Sequence, residues 1–233
     1  MLEILYQDDN YVIINKPHGL LVHRTKIAEE KHEFAVQMLR DQIGQKVSPV
    51  HRLDRKTSGV LVFGLHSEAT KLLAKQFTER TTTKTYWAIV RGFSPEKGII
   101  EKPLKSEKGN IQIAETHFST IANHTLNIPI GKYPTCRYSL VKIEPKTGRM
   151  HQIRRHFNHI NHPIIGDYKH GDYRHNQLFI REFEQNFMYL HANELTFFHP
   201  FINNQLTIKA DFQLPFKKMI QQFDWTNYLN DEL

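Results

Sequence analysis

A carboxylate flanked by two arginines stands just in front of an apolar run, and this arrangement constrains the fold more than any other feature of the chain. Asp54 lies between Arg52 and Arg55 in the segment 51–59, and the sequence Val-Leu-Val-Phe follows at 60–63. A short apolar run bounded by turn residues predicts a buried strand. We therefore expect Asp54 at the mouth of a packed sheet, where partial burial and the guanidinium groups compete to set its pKa.

Composition limits the class of protein and of partner. The chain has 233 residues, of which 39% are hydrophobic, enough for one sizeable core. A formal net charge of +7 favours a polyanionic partner, with a generally solvated basic surface as the alternative. The single cysteine, Cys136, excludes an intramolecular disulfide and predicts a reducing, cytoplasmic compartment. No apolar run approaches the roughly 18 residues of a membrane span, so we expect no membrane contact, and no obligate protein partner is evident.

Periodicity predicts strands and a helix in the first half of the chain. Residues 4–22 alternate apolar runs with turn residues, which predicts a hairpin with a strand over 11–14. Ser67 is a candidate cap for an amphipathic helix that follows the Asp54 strand. Period-two alternation over 85–90 predicts a strand with Tyr86, Ala88 and Val90 on one face and Trp87 and Ile89 on the other.

The second half is less regular. Residues 94–135 show no sustained period, and we interpret them as an insertion with short strands and a turn at 108–110, within one catalytic domain that spans residues 1–233. A strand is predicted over 137–143. The next pattern predicts a helix over 150–160, with three arginines off its apolar face: Arg149, Arg154 and Arg155.

Three ordered segments carry a resemblance to a known family. Residues 51–59, His-Arg-Leu-Asp-Arg-Lys-Thr-Ser-Gly, closely resemble the catalytic-aspartate motif of the RluA-type pseudouridine synthases, which isomerise uridine within RNA. Residues 84–92 and 147–156 are similar to further family segments in the same order, as are 12–20 and 162–167. The resemblance implies an α+β pseudouridine synthase fold, a mixed and mostly antiparallel sheet flanked by helices with a catalytic cleft. It implies neither metal nor organic cofactor.

The resemblance also assigns roles to three residues. It implies that Asp54 is the nucleophile, that Tyr86 stacks on the target base and takes part in proton transfer, and that Arg154 forms an ion pair with Asp54. Burial alone would neutralise the carboxyl group, whereas a guanidinium within about 4 to 6 Å favours its charged form. Arg149 is the second candidate for the ion-pair partner.

Basic residues near these segments are candidates for RNA contacts. The target base must be flipped out of its stack, and Arg52 is placed to contact the flipped nucleotide. Candidates for holding the RNA backbone are Lys16, Arg24, Arg149 and Arg155. Any one of them is also an ordinary surface charge on a basic protein.

Plainer interpretations stay open for each motif. Asp54 alone fits a surface ion pair, Tyr86 a core aromatic, and Arg154 a solvated helix face. Histidines at 151, 156, 159 and 162 allow a zinc site, although their spacing lacks the H-E-x-x-H pattern. Glycoside hydrolysis is a further alternative, but it usually needs two carboxylates, and Asp167 is a weak second.

Substrate choice rests on finer resemblance. Residues 131–138, 144–149 and 169–172 look like the tRNA-modifying branch of the family, which implies uridine 65 of certain tRNAs as the target. Asn161 and His170 depart from the wider family, where glycine and tyrosine are usual. The alternatives are a synthase acting on large-subunit ribosomal RNA and a non-catalytic RNA-binding protein.

Overall fold

The structure is a computed structural model that describes residues 1–23 and 34–230. Its strands are β1 Glu3–Gln7, β2 Tyr11–Lys16, β3 Ser48–Pro49, β4 Ser58–Gly64, β5 Thr83–Arg91, β6 Lys97–Ile100, β7 Leu104–Lys105, β8 Ile111–Gln112, β9 Thr116–Leu126, β10 Cys136–Pro145, β11 Leu190–His199 and β12 Asn204–Lys209. Its helices are α1 Ala35–Ile43, α2 Ser67–Glu79, α3 Gln152–His159, α4 Tyr173–Phe183, α5 Leu214–Gln222 and α6 Asn227–Asn230. In the parts of the chain that the structure describes, none of the helices has both the length and the hydrophobicity of a membrane span.

The chain divides into two compact units, each discontinuous in sequence. The first comprises residues 1–84 and 191–211, and the second comprises residues 85–190 and 212 onward. A single catalytic domain over the whole chain remains a prediction. Arg24 lies outside the described residues.

The first unit contains a mixed sheet in which β2, β4 and β11 are central. β1 and β2 form an antiparallel hairpin within the predicted stretch 4–22, and the strand predicted over 11–14 lies inside β2, but the apolar run at 20–22 forms no strand. β2 pairs antiparallel with β4, and β4 pairs in parallel with β11. β12 and β3 pair antiparallel with β11 and β4, respectively. Every residue of β4 is buried, which confirms the buried strand expected after Asp54.

Helix α2 covers one face of this sheet but begins differently from the prediction. Ala69 and Leu73 are buried and join a core cluster with Val60 and Val62 of β4. The N-cap is His66 rather than Ser67, because His66 has extended backbone geometry and its ring accepts the Ala69 N–H. A ring nitrogen thus satisfies an orphan amide that a hydroxyl was expected to bind.

The second unit is built on an antiparallel sheet with the order β5, β10, β9, β6. The predicted alternation of β5 is confirmed, because the two faces of the strand pack into different cores. Trp87 and Ile89 pack with residues of α4 and α5, whereas Ala88 and Val90 pack with Ile153 and Phe157 of α3. Both units together confirm the α+β class with a mixed, mostly antiparallel set of strands.

Residues 94–135 are more regular than their sequence indicates. Short strands β6, β7 and β8 are present, and the turn at 108–110 connects β7 to β8 with Gly109 at a φ of 87°. However, β9 is an eleven-residue strand that pairs with β10 from one end to the other. Much of the predicted insertion is therefore part of the sheet of the second unit.

Candidate active site

Asp54 lies half-buried on the loop that precedes β4, in the first unit. The loop turns at this residue, because the Thr57 N–H donates to the Asp54 carbonyl at 3.0 Å. A second chain segment fixes the turn from the side. The Gly19 N–H donates to the Arg55 carbonyl at 2.9 Å, and Arg55 Nε donates to the Gly19 carbonyl at 3.0 Å. The backbone around Asp54 is therefore held on both sides.

Lys16 lies beneath this loop and has a structural role. Its side chain is fully buried, and its ammonium donates to the carbonyls of Pro17, Leu20 and Arg55 at 2.9, 2.9 and 3.1 Å. Desolvation lowers the pKa of Lys16 to about 7; the charge of Asp54 opposes this shift and that of Arg55 adds to it. This geometry corrects the prediction that Lys16 holds the RNA backbone, because a buried ammonium committed to carbonyls is not presented to a phosphate.

A buried serine–histidine pair fixes the far end of the Asp54 loop. Ser58 Oγ and His191 Nδ1 are 2.8 Å apart, and His191 Nε2 lies 3.0 Å from the Ala210 carbonyl. Since a carbonyl only accepts, Nε2 carries a proton, and in the neutral ring Nδ1 then accepts from the serine hydroxyl. Next to this pair, Gly59 has a φ of 110°, and a Cβ there would lie 2.1 Å from the Ala192 carbonyl oxygen. Sequence reasoning missed His191, because β11 contains four other polar residues, Asn193, Glu194, Thr196 and His199, and so gives no distinct signal for it.

His51 and Arg52, which precede Asp54, face different environments. His51 stacks on Phe77 with a centroid distance of 4.6 Å, and its Nε2 accepts the Val62 N–H at 3.3 Å. Desolvation, together with the nearby charge of Lys84, lowers the pKa of His51 to about 3, which keeps the imidazole neutral and able to accept. Arg52 is exposed and therefore accessible to a ligand. Its contact with RNA remains a prediction.

Tyr86 lies on β5 in the second unit. Its register partner is Ile143 of β10, and its half-buried ring packs against a core cluster that includes Ala88 and Val90. The sheet thus fixes the position of the Tyr86 ring, and part of the ring remains exposed to solvent. Its stacking on a base and its proton transfer remain predictions.

Arg154 is buried and holds a carboxylate. Its Nε and Nη2 donate to Asp167 Oδ2 and Oδ1 at 2.7 and 2.8 Å, a bidentate ion pair. The exposed fractions of the two side chains are 9% and 1%, which corrects the alternative of a solvated helix face. The proposed pairing of Arg154 with Asp54 remains a prediction.

Asp167 also organises the loop that contains it. Its Oδ1 accepts the backbone N–H groups of Lys169 and His170 at 2.9 and 3.1 Å. Burial would raise the pKa of Asp167, but the Arg154 hydrogen bonds and charge, with these two amides, outweigh burial and lower the pKa below its usual value. With both oxygens committed to Arg154 and to these two amides, Asp167 has a structural role, which argues against it as the second catalytic carboxylate of glycoside hydrolysis.

The helix motif 147–156 contains a closed hydrogen-bond network. Gln152 Oε1 accepts from the Thr147 hydroxyl at 2.6 Å, and Gln152 Nε2 donates to the Thr116 hydroxyl at 2.9 Å. His156 Nδ1 lies 2.9 Å from the same Thr116 oxygen, and His156 Nε2 lies 2.9 Å from the Lys102 carbonyl. These contacts tie α3 to the segment that leads into β9.

Two predicted RNA-binding arginines extend this anchoring. Arg149 Nε donates to the Ile113 carbonyl and Arg155 Nη1 to the Lys105 carbonyl, both at 3.0 Å. Both guanidinium groups therefore fix the ends of the β7–β8 hairpin. Their contacts with RNA, and the choice of Arg149 as a partner of Asp54, remain predictions.

The histidines considered for zinc have separate partners. His156 joins the network above, His162 Nδ1 contacts the Arg91 carbonyl at 2.9 Å, and His151 Nδ1 lies 2.9 Å from His170 Nε2. Among the described residues, no group of three histidine, cysteine or acidic side chains has an arrangement suited to a metal ion.

Comparison with known proteins agrees with this arrangement. Residues 10–159 match the family model described as RNA pseudouridylate synthase. Proteins named tRNA pseudouridine synthase C are similar along nearly the whole chain. The one from Vibrio parahaemolyticus is 46% identical over 98% of this chain and 97% of its own length, and the one from Salmonella typhi is 45% identical over 99% and 93%.

Solved structures show the same fold. Human RNA Pseudouridylate Synthase Domain Containing 4 superposes with a TM-score of 0.72 at 23% identity, covering 95% of this chain and 93% of that one. Human RNA Pseudouridylate Synthase Domain Containing 1 gives 0.71 at 22% identity, covering 97% and 96%. From the family match, the close relatives and the site geometry together, the chain belongs to the RNA pseudouridylate synthase family.

Proposed function

We propose that this protein is a tRNA pseudouridine synthase that isomerises uridine 65. The observation that carries the proposal is similarity of 46% identity, across 98% of the chain, to a protein named tRNA pseudouridine synthase C. The held loop that presents Asp54 supports it, because the reaction needs one carboxylate in a fixed position. The buried free cysteine, Cys136, and a tRNA substrate support a cytoplasmic location.

The reaction is an isomerisation in which no atom is gained or lost overall. The bond between uracil N1 and ribose C1′ breaks, the base reorients, and a bond forms between C5 and C1′. The hydrogen on C5 leaves to solvent, and N1 takes up a proton. We assign Asp54 as the nucleophile that assists cleavage of the glycosidic bond. The contacts of Lys16, Gly19 and Thr57 with its loop limit the loss of orientation that this step would otherwise face.

Tyr86 and Arg154 are assigned supporting roles. The face of the Tyr86 ring holds the detached uracil while it turns, and its hydroxyl takes part in removing the C5 proton. We assign Arg154 to pair also with Asp54, keeping the carboxylate ionised, with Asp167 fixing the orientation of the guanidinium.

Release of tritium from tRNA labelled at uridine C5 tests the reaction directly, because forming pseudouridine must expel that hydrogen. We expect release by the wild type and none by Asp54→Ala, with RNA affinity largely kept. Asp9→Ala is the matched control, because Asp9 is an exposed aspartate of the same unit. Equal release by wild type and Asp54→Ala would refute the role of Asp54.

The position is tested with a tRNA transcript that carries cytidine at position 65. We expect no release from that transcript when the remaining uridines are labelled. Release from it would place the target elsewhere in tRNA. Release from large-subunit ribosomal RNA alone would favour the ribosomal alternative, and binding without release from either RNA would favour a non-catalytic RNA-binding protein.

A further inference from the structure

Three aromatic rings of the second unit are exposed next to basic side chains. Phe93, Tyr133 and Tyr173 have exposed fractions of 42%, 60% and 68%, although large aromatic side chains usually bury most of their surface. We define the aromatic–basic patch as these rings and the exposed cations beside them: Phe93, Lys132, Tyr133, Arg137, Tyr173 and Arg174. None of them has a role in the site described above.

Cation–aromatic contacts join members of the patch. The Arg137 guanidinium lies 5.2 Å from the centroid of the Phe93 ring, and the Gly92 N–H donates to the Arg137 carbonyl at 2.7 Å. The Lys132 ammonium lies 5.5 Å from the centroid of the Tyr133 ring. Each of these two rings thus has a cation beside it, on a side chain that remains exposed.

Contacts made by the Asp172 and Arg174 side chains connect the remaining members. Asp172 caps helix α4 by accepting the Arg174 N–H at 2.9 Å, and it also forms an ion pair with Arg91 at the end of β5. A Cβ added to Gly131 would lie 3.2 Å from Arg174 Nη1, so the turn that carries Tyr133 touches the first turn of α4. The three segments of the patch therefore contact one another.

The charge of this surface is strongly positive. Residues 91–93, 131–137 and 172–174 contain four basic side chains and one carboxylate, Asp172. That carboxylate is committed to Arg91 and to the helix cap. Lysine and arginine neutralise phosphates, and exposed aromatic rings stack on bases, so this combination suits a nucleic acid better than an acidic protein.

The position of the patch separates it from the target base. Tyr86 and Arg91 are five residues apart on β5, which corresponds to about 17 Å at roughly 3.3 Å per residue. Resting on the proposed function, we propose that the aromatic–basic patch docks the tRNA substrate through phosphates and base or ribose faces of nucleotides remote from the target uridine. The patch then contributes to affinity for the whole tRNA and not to the chemical step.

Steady-state kinetics with full-length tRNA tests this proposal. For Arg174→Ala and Tyr133→Ala we expect KM to rise about fivefold or more with kcat unchanged. For Arg174→Ala, the slope of log affinity against log salt should also decrease by about 1, whereas Arg174→Lys should keep that slope. Lys218→Ala is the matched control, because Lys218 is an exposed cation of the same unit on α5. It should behave as the wild type.

A shortened substrate separates docking from local effects. With a stem-loop that contains only the nucleotides around the target, wild type and patch variants should have equal KM values. Patch variants that match Lys218→Ala on full-length tRNA, or that lower kcat at constant KM, would overturn the inference. If the wild type forms no pseudouridine in tRNA, the proposed function fails, whatever the variants do. Tyr133 lies on a turn and Arg174 on a helix, so either variant tests the patch if the other misfolds.

Discussion

Because the ion pair between Arg154 and Asp167 is buried, we expect a large loss in the free energy of unfolding when the charge of Asp167 alone is removed. Asp167→Asn keeps the shape of the side chain but replaces one accepting oxygen with a donor group. The guanidinium of Arg154 would then remain buried with one N–H facing no acceptor. The remaining carbonyl oxygen of the introduced amide is expected to keep the hydrogen bonds from the backbone N–H groups of Lys169 and His170.

The magnitude follows from burial. The side chains of Arg154 and Asp167 are 9% and 1% exposed, and removing one partner of a buried pair costs roughly 3–5 kcal/mol. The matched control is Glu144→Gln, because Glu144 pairs with Lys146 at the same 2.7 Å distance while both side chains are more than 40% exposed. An exposed pair contributes about 0.2–1 kcal/mol, so burial alone should separate the two variants.

Urea unfolding followed by far-ultraviolet circular dichroism at pH 7 measures both variants. A double variant, Arg154→Met with Asp167→Asn, removes the buried charge and keeps an oxygen for the Lys169 and His170 N–H groups. It should therefore recover much of the stability lost by Asp167→Asn alone and, under the proposed function, have no activity. Because the folded pKa of Asp167 is lowered, its contribution is complete above the unfolded value and is lost as pH falls through the folded value. Equal losses for Asp167→Asn and Glu144→Gln would refute the argument from burial.

Two further predictions concern the first unit and the loop of Asp54. Gly59→Ala should lower the free energy of unfolding by at least about 3 kcal/mol, because the added Cβ would lie 2.1 Å from the Ala192 carbonyl oxygen. The control is Gly148→Ala, whose Cβ would have no neighbour within 4 Å. It should change unfolding in urea very little. The second is that stability falls as pH decreases from about 6.5 to about 3, because unfolded His51 binds a proton that the folded form, with a pKa of about 3, does not. His51→Phe should flatten that dependence in urea titrations, and an unchanged slope would contradict it.

Local patterns predicted the elements whose environment is set by neighbouring residues in sequence. The apolar run at 60–63 and the alternation at 85–90 are visible within a few neighbouring residues, and each forms a strand as expected. Helix α4 was not predicted, because its first turn is mostly polar and its buried apolar residues, Leu178 and Phe179, lie in its second half, so no helical period is visible at its start. Its sequence signal is Asp172, which caps it.

Side chains with distant partners could not be placed from the sequence. Helical periodicity puts Arg154 off the apolar stripe, and its partner Asp167 follows 13 residues later on a loop, so the pattern gave no sign of a buried pair. Lys16 ends an apolar strand, where a lysine usually reaches solvent. The carbonyls that hold it belong partly to Arg55, 39 residues away. Such contacts depend on the tertiary fold, which periodicity does not encode.

The hydrogen bond between Ser58 and His191 joins residues 133 positions apart, and it has a consequence for synthesis of the chain. Ribosomes add roughly 5–20 residues per second, so about 7 to 27 s pass between these two residues. During that time β4 lacks its parallel neighbour β11, and parallel pairing over such a separation is itself slow to form. The Asp54 loop is made early, together with Lys16 and Gly19 that hold it, but it acquires the Ser58–His191 support only after residue 191 emerges. A nascent chain therefore contains Asp54 well before the loop around it has all of its native contacts.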